Sequence, residues 1–193
     1  MELKVVIEAI KLALVNMNQD YSKLSKKDYK NIETTNSFIE NLKKVKYLER
    51  PIAYEFYHQL RRLMDEGDVN FGGPIIQAEV DKRYQHLFKK GNMPDFIIHT
   101  PDSKSNLVII EFKLATRAKE DIKDDFVKIV KFKTNSDLNY SYGVEVLLGD
   151  KHSLEIRRKD LNEWNKTGGE EIIIIEFDTG SWKADHSVLQ FKE

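Results

Sequence analysis

The sequence contains no cysteine, and this absence limits the chemistry that the protein can perform. Disulfides, thiolate catalysis and cysteine-ligated zinc or iron–sulfur centres are excluded. No apolar run approaches the roughly 18 residues of a membrane-spanning helix, and the start Met1-Glu2-Leu3-Lys4 lacks the profile of a secretory signal. We therefore expect a cytoplasmic protein that does not enter a membrane.

The chain also lacks an excess of charge of either sign. It has 31 basic and 32 acidic residues among 193, which gives a formal net charge of −1. Because no global basic field attracts nucleic acid, such a partner would have to be bound by local patches. The length fits one domain with a substantial core.

Two apolar stretches separated by a polar turn are the most informative part of the sequence. The stretches are Met93–His99 and Leu107–Lys113, and turn-forming residues lie between them. This pattern predicts a β-hairpin. If the numbers of paired residues add up to 206 or 208, Asp95 lies opposite Glu111 or Lys113 at the end of a buried strand.

The predicted hairpin would bring charged side chains together. Residues two apart on a strand share a face, so Glu111 and Lys113 lie on one side of the sheet and Phe112 on the other. Burying such charges is costly unless they form pairs or hold a metal. The alternative to a functional site is a Glu–Lys pair on an exposed sheet face, with Asp95 as a cap at the start of its strand.

Pro94-Asp95, a spacer of fifteen residues and Glu111-x-Lys113 at the end of an apolar strand resemble the PD-(D/E)xK phosphodiesterase superfamily, the restriction-endonuclease-like nucleases. Acid-x-Lys also occurs elsewhere, for example at Asp121–Lys123, but only the first set lies on two adjacent apolar strands. The resemblance covers roughly residues 50–150. It implies an α/β fold with a restriction-endonuclease-like core, in which helices flank a central mixed β-sheet.

The resemblance also implies an enzymatic activity, the metal-dependent hydrolysis of phosphodiester bonds, with DNA favoured over RNA. Asp95, Glu111 and the backbone carbonyl of Phe112 would hold Mg²⁺ (or Mn²⁺), since these ions prefer hard oxygen ligands. Lys113 would orient the attacking water and stabilise the developing charge. Homodimers are common in the family, although no feature of this sequence establishes one.

In this family, a helix before the hairpin often supplies a further acid to the metal site. Residues 51–66 are predicted to form such a helix, because proline begins this range and glycine follows it. Glu55 lies on the flank of its apolar stripe. Glu79, in the predicted strand 75–80, is the other candidate, and the sequence leaves this choice open. Glu55 is equally consistent with an ion pair to Arg61 or another base at the core edge.

The chain is expected to be a single domain of residues 1–193, in three parts. Residues 1–48 form an N-terminal helical segment, which serves either as a packing layer or as a recognition appendage; its helices are predicted at 3–16 and 37–47. Residues 49–150 form the nuclease-like core, which ends with a helix at 116–133 and a strand at 142–148. Residues 151–193 complete or extend the sheet, with a strand at 154–158, a short helix at 159–165 and a buried strand at 172–177.

A function from a different class remains open. The same fold could serve as a non-catalytic interaction module for nucleic acid or protein. That alternative predicts no metal-dependent turnover, and any DNA binding would survive the loss of Glu111.

Overall fold

The computed structural model describes residues 2–24, 46–47, 49–79, 93–103 and 105–192. They form an α/β protein in which helices flank a mixed six-stranded sheet and further helices lie at the N-terminal end. The helices in these ranges are α1 (Leu3–Val15), α2 (Gln19–Ser22), α3 (Glu49–Glu66), α4 (Lys119–Thr134) and α5 (Lys151–Trp164). None of them is long and apolar enough to span a membrane.

The strands of the described ranges are β1 (Lys23–Leu24), β2 (Lys46–Tyr47), β3 (Ile75–Ala78), β4 (Phe96–His99), β5 (Asn106–Leu114), β6 (Tyr142–Gly149), β7 (Asn165–Asp178) and β8 (Lys183–Phe191). Strands β3 to β8 form the main sheet in chain order, and β1 pairs with β2. β3, β4 and β5 are antiparallel, β5, β6 and β7 are parallel, and β8 is antiparallel to β7. The helices α4 and α5 provide the crossovers that the parallel pairs require.

The core consists of two apolar clusters, one on each face of the sheet. Helices α1 and α3 pack on one face, and α4 and α5 pack on the other. Along β5, Ile110 and Phe112 belong to the first cluster and Ile109 to the second. Because both faces of this strand are buried, its sequence is a continuous apolar run rather than an alternating one.

Aromatic side chains fix α3 over the hairpin. The ring centroid of Phe56 lies 4.9 Å from that of Phe112 and 5.6 Å from that of Phe96, and the Phe96 and Phe112 rings are themselves 5.6 Å apart. Such contacts add to the stabilisation from area burial. They determine where the helix preceding the hairpin lies relative to the charged end of β5.

The predicted elements between residues 49 and 149 are observed with shifted ends. Helix α3 begins at Glu49, two residues before Pro51, and α4 begins at Lys119 rather than at residue 116. Strand β3 ends at Ala78, and residue 80 lies outside the described residues. The helix predicted at 37–47 also lies mostly outside them, and its last two positions form β2.

The C-terminal part of the structure differs from the sequence prediction. The strand expected at 154–158 is wrong, because those residues belong to α5, which runs without interruption to Trp164. The side chain of Asp150 starts this helix by accepting a hydrogen bond from the backbone N–H of Ser153 at 2.8 Å. The Gly168-Gly169 pair lies within β7.

The sequence predicts no element after Phe177, yet residues 183–191 form β8 at the edge of the sheet. Most of the first six side chains of this strand are exposed, so its residues show little apolar alternation. An edge strand without a buried face gives a weak sequence signal. Strands β7 and β8 of the C-terminal part continue the sheet beyond β6.

Candidate functional site

The hairpin has the register that brings Asp95 to the charged end of β5. The numbers of paired residues add up to 206 along most of the hairpin, as for Phe96 with Ile110, and one further step places Asp95 opposite Glu111. Asp95 Oδ2 accepts a hydrogen bond from the backbone N–H of Phe112 at 2.7 Å. The structure therefore brings Asp95 against the Glu111–Lys113 segment, as the sequence predicts.

The Glu111 side chain is buried on the face of the sheet that α4 covers. It is 2% exposed, and its Oε2 accepts a hydrogen bond from Lys128 Nζ on α4 at 2.8 Å. Its Oε1 has no hydrogen-bond partner among the described residues. Burial raises the pKa of Glu111 well above its usual value, and the adjacent ammonium of Lys128 opposes this effect only in part.

Asp125 of α4 lies between two lysines. Lys113 Nζ is 2.8 Å from Asp125 Oδ2, and Lys128 Nζ is 3.3 Å from Asp125 Oδ1. Burial lowers the pKa of each lysine, but the neighbouring carboxylates outweigh it, so both pKa values are raised. Both lysines therefore remain ammonium ions at neutral pH.

Glu145 is a further buried acid beside Glu111. The two residues are register partners on the parallel strands β6 and β5. Glu145 is fully buried, and neither carboxylate oxygen has a hydrogen-bond partner among the described residues. Burial raises its pKa well above the usual value, with further contributions from the charges of Asp125 and Glu111, and Lys113 opposes the shift. A carboxylate without compensating hydrogen bonds is costly in such a place.

The pKa of Glu145 gives a prediction about stability and pH. An acid whose pKa is raised by folding makes the folded state bind more protons, so the free energy of unfolding falls as pH rises from about 4.5 through the folded-state pKa. Glu145→Gln removes this penalty while conserving shape. We expect the variant to be more stable than the parent by about 1–3 kcal/mol at pH 8, with little difference near pH 4. Urea unfolding at both pH values measures this difference.

Glu176→Gln provides the matched control on the neighbouring strand. Glu176 is also buried, but its carboxylate accepts hydrogen bonds from the guanidinium of Arg158. Neutralising a paired acid removes charge-assisted hydrogen bonds and should not stabilise the protein. Equal stability of Glu145→Gln and the parent at pH 8 would show that the Glu145 carboxylate has compensating partners.

An acid from α3 does reach this region, but it is Glu49 rather than the predicted Glu55. Glu49 Oε2 accepts a hydrogen bond from the backbone N–H of Leu114 at 3.2 Å and lies 4.0 Å from Arg117 Nε. Burial raises the pKa of Asp95, the Phe112 N–H opposes this shift, and the charge of Glu49 is among the influences that raise it. Glu49 is the first residue of α3 and lies outside the predicted helix 51–66, so it is not among the predicted site residues.

The structure gives Glu55 a different role. Its Oε1 accepts hydrogen bonds from the backbone N–H of Asn18 at 3.0 Å and from Gln59 Nε2 at 2.7 Å. Its helix packs on the Phe112 face of the sheet, opposite to the Glu111 side chain. Glu55 thus fixes α3 to the turn before α2. The alternative pairing with Arg61 is not observed either, since that arginine pairs with Asp65.

Glu79 lies beside Asp95 through its backbone only. Its N–H donates to the carbonyl oxygen of Asp95 at 2.9 Å, and its φ of +46° turns the chain away at the end of β3. The exposed carboxylate lies 3.5 Å from the hydroxyl of Tyr54. The geometry therefore does not bring the Glu79 side chain to Glu111.

The donor atoms of the site are of the kind that Mg²⁺ prefers. Asp95 and Glu111 supply hard oxygen ligands, and Glu111 Oε1 is a buried oxygen without a partner among the described residues. No group of three or more His, Asp or Glu side chains in the described part of the chain is arranged to hold a metal. Water or phosphate oxygens would have to complete the coordination, as is usual for Mg²⁺.

We refer to Asp95, Glu111, Lys113, Asp125, Lys128 and Glu145 as the acid–lysine cluster. Four places in the fold supply it: the residue just before β4, the end of β5, the buried face of α4 and the middle of β6. A functional assignment for this protein depends on the geometry of this cluster. Comparisons with protein-family models, with curated proteins and with solved structures found no match to this chain.

Proposed function

We propose that the protein is a magnesium- or manganese-dependent nuclease with a restriction-endonuclease-like fold, which hydrolyses phosphodiester bonds, with DNA favoured as the substrate. The proposal rests mainly on one observation. Asp95 Oδ2 accepts a hydrogen bond from the backbone N–H of Phe112, the residue between Glu111 and Lys113. Two carboxylates and a lysine thereby meet at the end of a strand that is otherwise buried among apolar side chains.

The order of the elements supports the fold assignment. Helix α3 precedes the antiparallel strands β3, β4 and β5, α4 follows β5 directly, and β6 returns parallel to β5. The resembled family has a helix directly after the catalytic strand, and often a helix before the hairpin that supplies an acid. Both helices are present in the chain.

Asp95, Glu111 and the backbone carbonyl of Phe112 would hold the metal. When bound, Mg²⁺ supplies Lewis acidity that lowers the pKa of water and stabilises negative charge on the phosphate. Because burial raises the pKa of both carboxyls, protons compete with a cation for these oxygens up to a higher pH than they do at an exposed acid. Tighter metal binding at higher pH therefore follows from this assignment.

Lys113 would stabilise charge rather than accept a proton. Burial lowers its pKa, but the hydrogen bond to Asp125 and the charges of the neighbouring carboxylates together outweigh burial, so the pKa is raised and the side chain is an ammonium ion at neutral pH. An ammonium ion cannot act as a general base. Its role in the proposed reaction is to orient the water and to donate to the phosphate oxygens as their charge increases.

A metal titration with Glu111→Ala tests the proposal. We expect the parent protein to bind Mn²⁺ and Mg²⁺ in calorimetry and to nick plasmid DNA, and we expect the variant to lose both properties. Glu155→Ala, which removes an exposed acid of α5 outside the acid–lysine cluster, should bind and nick like the parent. Thermal unfolding of both variants confirms that the fold is retained.

The other outcomes distinguish the parts of the proposal. Metal binding that depends on Glu111, without cleavage of plasmid, single-stranded DNA or RNA, would contradict nuclease activity and leave a metal site. Cleavage of RNA alone would correct the substrate. If neither metal binding nor cleavage is observed in the parent, the nuclease assignment is wrong.

A non-catalytic interaction module is the second candidate, and the ion pairs of the site favour it. Glu111 is bound to Lys128, and Lys113 is bound to Asp125, so these charges already have protein partners. In that case the cluster is a structural network. Gel-shift binding of DNA that is unchanged in Glu111→Ala and independent of metal would support this candidate.

A further inference from the structure

Lys128 lies between two carboxylates that are both buried. Its Nζ is 2.8 Å from Glu111 Oε2 and 3.3 Å from Asp125 Oδ1. The lysine side chain is 21% exposed, whereas the Glu111 and Asp125 side chains are 2% and 7% exposed. The ammonium therefore occupies the position of a cation between two acids, with the shorter contact to the proposed metal ligand.

The contact with Lys128 opposes metal binding. Glu111 Oε2 cannot serve a metal fully while it accepts a hydrogen bond from an ammonium ion, and two cations close to one buried carboxylate repel each other. Glu111 Oε1, which has no partner among the described residues, shows that the carboxylate has capacity for another ligand. Binding of a divalent ion at Glu111 is thus expected to require that Lys128 move.

Asp125 is the place to which Lys128 can move. The Oδ1 atom of Asp125 is already within ion-pair distance of Lys128 Nζ, and its other oxygen, Oδ2, forms an ion pair with Lys113. The lysine stem is flexible, so a small rotation can shorten the contact with Asp125 and lengthen the one with Glu111. Lys128 would stay paired throughout, which avoids the large cost of an isolated buried charge.

We infer that Lys128 is a built-in competitor of the metal at Glu111, and that metal binding transfers Lys128 from Glu111 to Asp125. This inference rests on the proposed metal site. It assigns to α4 a regulatory contribution: the strength of the Lys128–Glu111 pair sets the metal concentration at which the site fills. Asp125 acts as a positioning residue, because it provides the second partner of Lys128.

Calorimetric titration with Mn²⁺ tests the inference without an activity assay. Lys128→Met removes the competing charge and should lower the Kd for Mn²⁺ by about tenfold or more. Asp125→Asn weakens the second partner of Lys128 and should raise the Kd. Lys123→Met is the matched control, because it removes an exposed lysine from the same helix and should leave the Kd unchanged.

A double-mutant cycle separates the transfer of Lys128 from a general charge effect. If Asp125 acts through Lys128, Asp125→Asn will change the Kd in the parent but not in the Lys128→Met background. Equal effects in both backgrounds would overturn the transfer. Lys128→Arg retains the charge and the fold, and it should not tighten Mn²⁺ binding, so the inference remains testable if Lys128→Met is poorly folded.

The possible failures are distinguishable from one another. If Mn²⁺ binding disappears in Glu111→Ala but is the same in Lys128→Met and the parent, the metal site stands and the competitor inference is wrong. If neither the parent nor any of the variants binds Mn²⁺, both the proposed metal site and the inference are overturned.

Discussion

Replacement of Lys113 by methionine is expected to lower the rate of DNA cleavage by at least about 100-fold, the usual cost of removing one donor to a developing anion. The reason lies in its protonation: burial lowers the pKa of Lys113, but Asp125 and the other neighbouring carboxylates together outweigh burial, so the site contains a fixed positive charge. This charge is most useful when negative charge on the phosphate is largest. The loss should therefore appear in kcat rather than in KM. Single-turnover cleavage at saturating Mg²⁺ measures it.

Metal binding distinguishes this role from a ligand role. Lys113→Met should bind Mn²⁺ at least as tightly as the parent, because the substitution removes a positive charge near the site, whereas Glu111→Ala should lose binding. Lys131→Met removes an exposed lysine of α4 and should cleave at the rate of the parent. Cleavage by Lys113→Met at the parent rate would exclude Lys113 from the reaction.

The hairpin and its charged end were predictable because their sequence signals are local. Strand β5 has four apolar residues before Glu111, and a polar turn fixes the register with β4. The period of two then determines that Glu111 and Lys113 share a face. These facts place Asp95 opposite Glu111 or Lys113, and the observed register is the one that pairs it with Glu111.

The remaining members of the acid–lysine cluster depend on tertiary structure. Asp125 lies on the buried face of α4, three residues after Ile122 and four before Ile129, and this spacing is a signal that an inward-facing acid is present. Glu145 interrupts the apolar run of β6 in the same way. The side chains that surround these two acids cannot be predicted from the sequence, because they depend on how α4 crosses the sheet.

The helix acid shows how a small error in an element boundary changes a site. The pattern of residues 51–66 identifies α3 correctly, but the true start at Glu49 lies two residues earlier. That first residue is the acid which reaches the backbone of β5, while Glu55, six residues later in the helix, binds the N-terminal region instead. Helix ends are the part of an assignment that propensity determines least.

Replacement of Phe112 by alanine is expected to lower the free energy of unfolding by about 3–5 kcal/mol, the usual cost of deleting a buried phenylalanine side chain. Phe112 is 1% exposed and packs from the hairpin against α3, with Phe56 and Phe96 as ring partners. Its removal leaves a cavity at the contact that positions α3. Urea unfolding gives the stability, and thermal unfolding should show a decrease of roughly 2–4 °C per kcal/mol.

The same variant tests whether packing on one face of β5 supports the chemistry on the other. Phe112→Leu fills most of the cavity and keeps the backbone N–H that binds Asp95, so it should retain cleavage and lose much less stability. Tyr54→Ala removes an exposed aromatic from α3 and should change the stability by no more than about 0.5 kcal/mol. If Phe112→Ala is as stable as Tyr54→Ala, the aromatic cluster does not hold α3 to the hairpin. If Phe112→Ala is destabilised as expected, its activity is measured at a temperature where it remains folded. Loss of cleavage there would show that the site needs the position of α3, and with it Glu49 beside β5.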